Sequence, residues 1–154
     1  MLEDPRLLGS LCKPIAQRFQ DAGVDIVVGP TLGGVLVAYE VARQMGKKAV
    51  FAERASNEEG RFFRPPIILQ QGHRVLIVDD VLMTGWTLTH LGSAVRGTGA
   101  EICGIGIILD RSAATPAFTC PLFAVHRMEI PDYDPESCPL CGQGLPLTKA
   151  AGTT

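Results

Sequence analysis

Apolar residues recur at two different periods along this chain, and the changes between them mark out its elements. Leu7, Leu8, Leu11, Ile15 and Phe19 fall three or four residues apart and predict an amphipathic helix over residues 5–22. Asp4 is suited to cap it, Pro5 to open it and Gly23 to stop it. Pro14 predicts a break, because a proline inside a helix removes one hydrogen bond and crowds the preceding turn. Residues 25–28 are a short β-branched strand that runs into Gly29-Pro30-Thr31-Leu32-Gly33-Gly34. A helix over 34–45 follows, packing through Leu36 or Val37, then Val41 and Met45, with Gly46 as its stop. Residues 48–52 form the second strand.

Residues 53–71 have no clear period, carry many charges and contain Pro65-Pro66; only 67–69 could add a short strand. A loop of that length in a compact domain points to function or disorder. The third strand is 75–78, Val-Leu-Ile-Val, an unbroken apolar run of the kind buried on both faces of a parallel sheet. A helix over 87–99 then turns Leu88, Leu91 and Val95 inward. Strands over 101–109 and 121–125 complete the pattern. The expected fold class is α/β, a doubly wound, mainly parallel five-stranded sheet ordered 2-1-3-4-5. Residues 1–130 are expected to form the core domain, and 131–154 an irregular tail containing Cys138-Pro-Leu-Cys141.

That strand order makes the first and third strands neighbours at the switch point, where open α/β sheets bind ligands. The 29–34 loop and the 79–87 segment then share one cleft. In the second of these, Asp79 and Asp80 follow the apolar run directly, and Thr84-Gly85-Trp86-Thr87 opens the next helix. Hydroxyls and backbone N–H groups at a helix N-terminus suit a phosphate.

Four apolar residues, two acids and a threonine–glycine turn in this order resemble the ribosyl-pyrophosphate motif of type I phosphoribosyltransferases. The resemblance implies that Asp79 and Asp80 hold the ribose 2′- and 3′-hydroxyls. Met83, Thr84, Gly85, Trp86 and Thr87 would wrap the 5′-phosphate, with Val81 and Leu82 also among the residues that bind the ribosyl pyrophosphate. Thr31, Leu32, Gly33 and Gly34 resemble the family's pyrophosphate loop, in which glycines allow backbone to approach anionic oxygen. Phe51-Ala52-Glu53-Arg54 resembles the entry to a mobile catalytic loop that usually carries a lysine. There is no lysine between Lys48 and Lys149, which leaves Arg54, Arg61 and Arg64 as the available cations, Arg54 foremost.

Leu109-Asp110-Arg111 and the cysteine-containing tail narrow the resemblance to orotate phosphoribosyltransferases. Arg111 is then implied to bind the base, with Met83 beside it in place of a hydroxyl residue; an arginine suits an acidic pyrimidine because it donates paired hydrogen bonds. The implied reaction joins orotate to 5-phosphoribosyl 1-pyrophosphate, giving orotidine 5′-phosphate and pyrophosphate. Asp79, Asp80 and Arg54 are the implied catalytic residues. Mg²⁺ would be held mainly through the pyrophosphate substrate, with no dedicated protein ligand set. A homodimer is also implied. Trp86 departs from the small or polar residue usual at its place, and the family's N-terminal hood over the base is not matched in this sequence. Transfer to another base, or non-catalytic binding of phosphoribosyl pyrophosphate or a nucleotide, are the alternatives.

Composition narrows the partners. At 154 residues and 46% apolar content the chain suits one domain with a proper core. A net charge of -2 gives no electrostatic argument for nucleic acid. No apolar run is long enough to span a bilayer, and the first residues lack the pattern of a signal peptide. Cys12, Cys103 and Cys120 have apolar neighbours and are expected to be reduced core residues, in keeping with the cytoplasm. Cys138 and Cys141 would be half of a zinc site, and a second pair is missing.

Overall fold

The computed structural model describes residues 2–54, 60–65, 69–114, 116–131, 133–134 and 136–145, apart from the side chain of Thr31. Residues 67 and 68 of the expected short strand and part of the expected loop over 53–71 lie outside them, while Leu69 is buried and in no strand. A six-stranded sheet runs β3-β2-β1-β4-β5-β6. Its strands are β1 (Ile26–Pro30), β2 (Lys48–Arg54), β3 (Arg61–Phe62), β4 (Arg74–Leu82), β5 (Glu101–Asp110) and β6 (Leu122–Arg127). The five expected strands occur in the expected order, and all pair in parallel. The sixth is a correction: β3 pairs antiparallel to β2, Glu53 opposite Phe62 and Arg54 opposite Arg61. Two residues are too few to show a period, so pattern could not reveal it.

Parallel strands need crossovers, and these put helices on both faces. Alternation along each strand divides the core in two. Val27, Leu76 and Val78 point to the layer of α1 (Pro5–Arg18) and α2 (Thr31–Met45). Ile26, Val28, Val75 and Ile77 point to α3 (Trp86–Gly97). Of the expected inward positions, Val37, Val41, Leu88, Leu91 and Val95 are buried, whereas Leu7 and Leu36 are exposed.

Helix α1 passes through Pro14 unbroken and stops at Arg18, not residue 22. The lost hydrogen bond costs about 3 kcal/mol. Against it stand Leu8, Cys12, Ile15 and Phe19, buried on both sides of the proline, at about 1.5–3 kcal/mol for each large aliphatic or aromatic side chain. Asp4 caps as expected, its Oδ1 accepting from the Arg6 N–H at 2.9 Å. Gln44 ties the two helices together, donating to the Gly9 carbonyl of α1 at 2.8 Å and to the Glu40 carboxylate of its own helix at 2.6 Å.

Two further corrections bear on the site. Helix α2 begins at Thr31, so residues 31–34 are its first turn and not a loop. Pro30 precedes it with extended backbone (φ -82°, ψ 154°), and its fixed φ and missing N–H suit the end of a strand that feeds a helix directly. Strand β4 continues four residues beyond Val78, because β5 still pairs with it there, Asp79 with Ile107 and Leu82 with Asp110. The tail has one helical turn, α4 (Pro139–Gly142).

Candidate active site

The two acids sit inside β4 rather than after it. Their neighbour β1 pairs with β4 only as far as Val28 opposite Ile77. Beyond that point β1 turns away into α2, and the edge of β4 opens where Asp79 and Asp80 lie. The first turn of α2 fills this opening. A Cβ on Gly33 would run into the Asp80 carboxylate. One on Gly34 would stand 2.8 Å from Asp79 Oδ1 and 2.5 Å from Pro30 Cδ. Glycine is required at both positions because the backbone touches the carboxylates.

Asp79 is 8% exposed. Burial, followed by the charge of Asp80 and a hydrogen bond with its side chain, pushes the Asp79 carboxyl up to about 8. The Asp80 N–H, donating to Asp79 Oδ1 at 3.0 Å, and the Arg61 guanidinium pull the other way. Asp80 is only half-buried, and its Oδ1 accepts from the Val81 N–H at 2.9 Å. With its carboxyl raised to about 8, Asp79 keeps its proton at neutral pH.

Beyond Leu82 the chain turns into α3. Asp79 and the run from Val81 to Leu88 line a cavity of about 210 Å³. Gly85 caps α3 with a positive φ of 77°, and no side chain caps the helix. Thr84 Oγ1 accepts from the Trp86 N–H at 3.3 Å. The turn thus offers the positive end of a twelve-residue helix to an anion. Trp86 is 42% exposed and stacks on His90, ring centroids 4.1 Å apart.

The candidate cations separate by environment. Arg64 is bound at both ends of its guanidinium by Glu53, at 2.7 and 2.6 Å. Arg54 is exposed at the end of β2, opposite Arg61. Arg61 has Nε and Nη1 buried without an acceptor among the described residues. Burial and Arg54 lower its pKa, and Asp79 raises it. Arg111 follows β5, and its backbone N–H donates to the Leu82 carbonyl at 2.9 Å, which brings its backbone beside Met83. Asp110 is buried and accepts from the N–H and hydroxyl of Ser112 at 2.9 and 2.6 Å, so it shapes the turn that carries Arg111.

A family model described as "Phosphoribosyl transferase domain" matches residues 2–118. The orotate phosphoribosyltransferase of Desulforamulus reducens is 39% identical over 150 residues, covering 97% of this chain and 77% of the relative. The chain belongs to the orotate phosphoribosyltransferases. The Caldanaerobacter subterraneus subsp. tengcongensis member is 40% identical over 137 residues, 89% of this chain and 71% of its own. Among solved structures, adenine phosphoribosyltransferase from Thermoanaerobacter pseudethanolicus aligns with a TM-score of 0.68 at 16% identity, over 82% of this chain and 84% of that one. Leishmania donovani UMP synthase aligns at 0.67 and 20% identity, over 80% of this chain and 28% of that one. At such identities these two report the fold alone.

The chain brings Gly33, Gly34, Asp79, Asp80 and the run 81–87 to one end of the sheet. Met83 and Arg111 lie together at the ends of adjacent strands. Sequence reasoning ranked Arg54 over Arg61, yet it is the Arg61 guanidinium that feels Asp79. The only available signal was its place seven residues after Arg54, and that acquires meaning only once β3 folds back on β2.

Proposed function

We propose that this chain transfers the phosphoribosyl group of 5-phosphoribosyl 1-pyrophosphate to orotate, yielding orotidine 5′-phosphate and pyrophosphate. The observation that carries the reading is the contact of Gly33 and Gly34 with the Asp80 and Asp79 carboxylates, beside the uncapped N-terminus of α3. One end of the sheet then offers acceptors for a diol and N–H donors for phosphate, with Asp79 and the 84–87 turn lining one cavity. In this reading Asp79 and Asp80 hold the ribose hydroxyls and stabilise positive charge as the ribosyl carbon loses pyrophosphate. Met83 to Thr87 hold the 5′-phosphate, and residues 31–34 face the pyrophosphate. Arg54 and Arg61 offset its growing charge, and Arg111 orients orotate next to Met83. Positioning and electrostatics carry such a reaction without a protein nucleophile.

Mg²⁺ fits the donor chemistry, since adjacent carboxylates supply the hard oxygen ligands it prefers. In this reading the ion is held mainly through oxygens of the substrate. When bound it would neutralise pyrophosphate charge, while Asp79 and Asp80 keep the ribose in place.

We further infer a homodimer acting in the cytoplasm, with residues 1–130 as the catalytic unit. Leu32, Leu36 and Tyr39 are 89%, 46% and 66% exposed at one-turn spacing along α2, and Phe51 at 40% adds a further exposed apolar side chain on β2. A second copy burying that stripe would remove apolar surface from water. Among the described residues, no helix is long and apolar enough to cross a membrane.

Calorimetry with phosphoribosyl pyrophosphate and Mg²⁺, then a pyrophosphate-release assay with orotate, tests the proposal. Binding followed by orotate-dependent release is expected. Release with another base but not orotate would move the assignment to that base, and absence of both binding and release would refute it.

A further inference from the structure

Two thiols lie outside the site and outside the sheet. Cys138 is the N-cap of α4 and Cys141 is its third residue, so one helical turn carries both on one side. The turn is closed by the Gly142 N–H on the Cys138 carbonyl at 3.0 Å and the Gly144 N–H on the Cys141 carbonyl at 2.9 Å. Both thiols are free and half-buried. Among the described residues no third metal-ligating side chain joins them.

The two sulfurs are not equivalent. As the N-cap, Cys138 sits at the N–H end of the turn, and the Cys141 N–H foremost holds its thiol below the ordinary range. Donating toward Cys138 raises Cys141. The other three cysteines differ from this pair: burial pushes Cys12 up to about 12 and also raises Cys103 and Cys120. A thiolate is the attacking species in exchange with a disulfide, so the lower, accessible thiol of a pair attacks first.

We propose that Cys138 and Cys141 form a reversible dithiol–disulfide couple that exchanges with low-molecular-weight disulfides, Cys138 attacking and Cys141 resolving. The Cys138 thiolate attacks one sulfur of the small disulfide, whose S–S bond breaks and releases one thiolate. Cys141 then loses its proton and attacks the Cys138 sulfur of the mixed disulfide, releasing the second thiolate. The protein loses two hydrogens, and one disulfide becomes two thiols. This couple is independent of the transferase reading, because no residue of the transfer site takes part.

The test uses the full chain in buffers of graded reduced and oxidised glutathione, quenched with acid, alkylated and analysed by peptide mass. An intramolecular Cys138–Cys141 disulfide, reversed by dithiothreitol, is expected while Cys12, Cys103 and Cys120 remain alkylatable after unfolding. Cys141→Ser should accumulate glutathione on Cys138, and Cys138→Ser should react several-fold more slowly. Equal rates in the two variants, disulfides formed only between chains, or no oxidation in glutathione disulfide would overturn the proposal. So would recovery of the protein with one zinc per chain that both serine variants lose.

Discussion

Replacing Asp79 by asparagine should remove a pH dependence that the fold places on one side chain. The Asp79 carboxyl is raised from 3.8 to about 8, first by burial and then by Asp80. Between those values the folded chain binds a proton that the unfolded chain has released. Stability from this group is therefore fully present below about pH 4 and is lost as pH rises toward 8. Each tenfold change in an ionisation constant is worth about 1.4 kcal/mol, which caps the effect at roughly 6 kcal/mol. Water entering the cleft and the ion pull of Arg61 reduce it, so a loss of a few kcal/mol is expected. Urea unfolding at intervals from pH 5 to 9 reads it directly. The wild type should weaken across the range, and Asp79→Asn should be flatter and more stable at the alkaline end. Parallel curves for the two proteins would refute the buried, protonated Asp79. The same proton bears on ligand binding. If the ribose hydroxyls and Mg²⁺ favour the carboxylate, phosphoribosyl pyrophosphate should bind more tightly as pH rises toward 8. Calorimetry in buffers of different ionisation heat should then show proton release.

Gly34→Ala forces a methyl between Pro30 and Asp79; it should cost about 1–3 kcal/mol of stability by overpacking, measured by urea midpoint, and lower affinity for phosphoribosyl pyrophosphate as well. The double change Asp79→Asn and Asp80→Asn should weaken that affinity by about 1.5–3 kcal/mol for each charged hydrogen bond lost, and unchanged calorimetry would contradict the ribose assignment. Leu36→Glu with Tyr39→Glu places charge on the exposed stripe of α2 and should shift light-scattering mass from dimer to monomer. Arg111→Ala should abolish orotate-dependent pyrophosphate release while leaving phosphoribosyl pyrophosphate binding intact.

The sheet was legible because its signals are long and redundant. Four apolar residues at Val75 to Val78, and inward Leu88, Leu91 and Val95, fix a strand and a helix whatever surrounds them. The ends of elements were not legible, because pairing decides them. Nothing local extends β4 through two carboxylates; Ile107 and Leu109 on β5 do so. Nor does Pro14 announce that its helix survives, since the compensating side chains find their partners only in the packed core.

The same distinction explains why the site was half visible. Asp79, Asp80 and the glycine turns are short motifs whose chemistry is written in consecutive residues. Arg61 is a different case, because the role proposed for it depends on a two-residue strand folding back along β2 and bringing its guanidinium under the influence of a carboxylate eighteen positions later. Fold likeness cannot supply that information. The adenine phosphoribosyltransferase structure shares the sheet at 16% identity and so reports the fold alone. In the proposed reading the base meets Met83, just beyond the end of β4, and Arg111, just beyond the end of β5. Exchanging Met83 for threonine is the sharpest probe of that idea, because it changes the side chain without moving Leu82, whose carbonyl holds the Arg111 backbone. A gain in orotate affinity with phosphoribosyl pyrophosphate binding unchanged is expected, and a parallel change in both would place Met83 in the phosphate site instead.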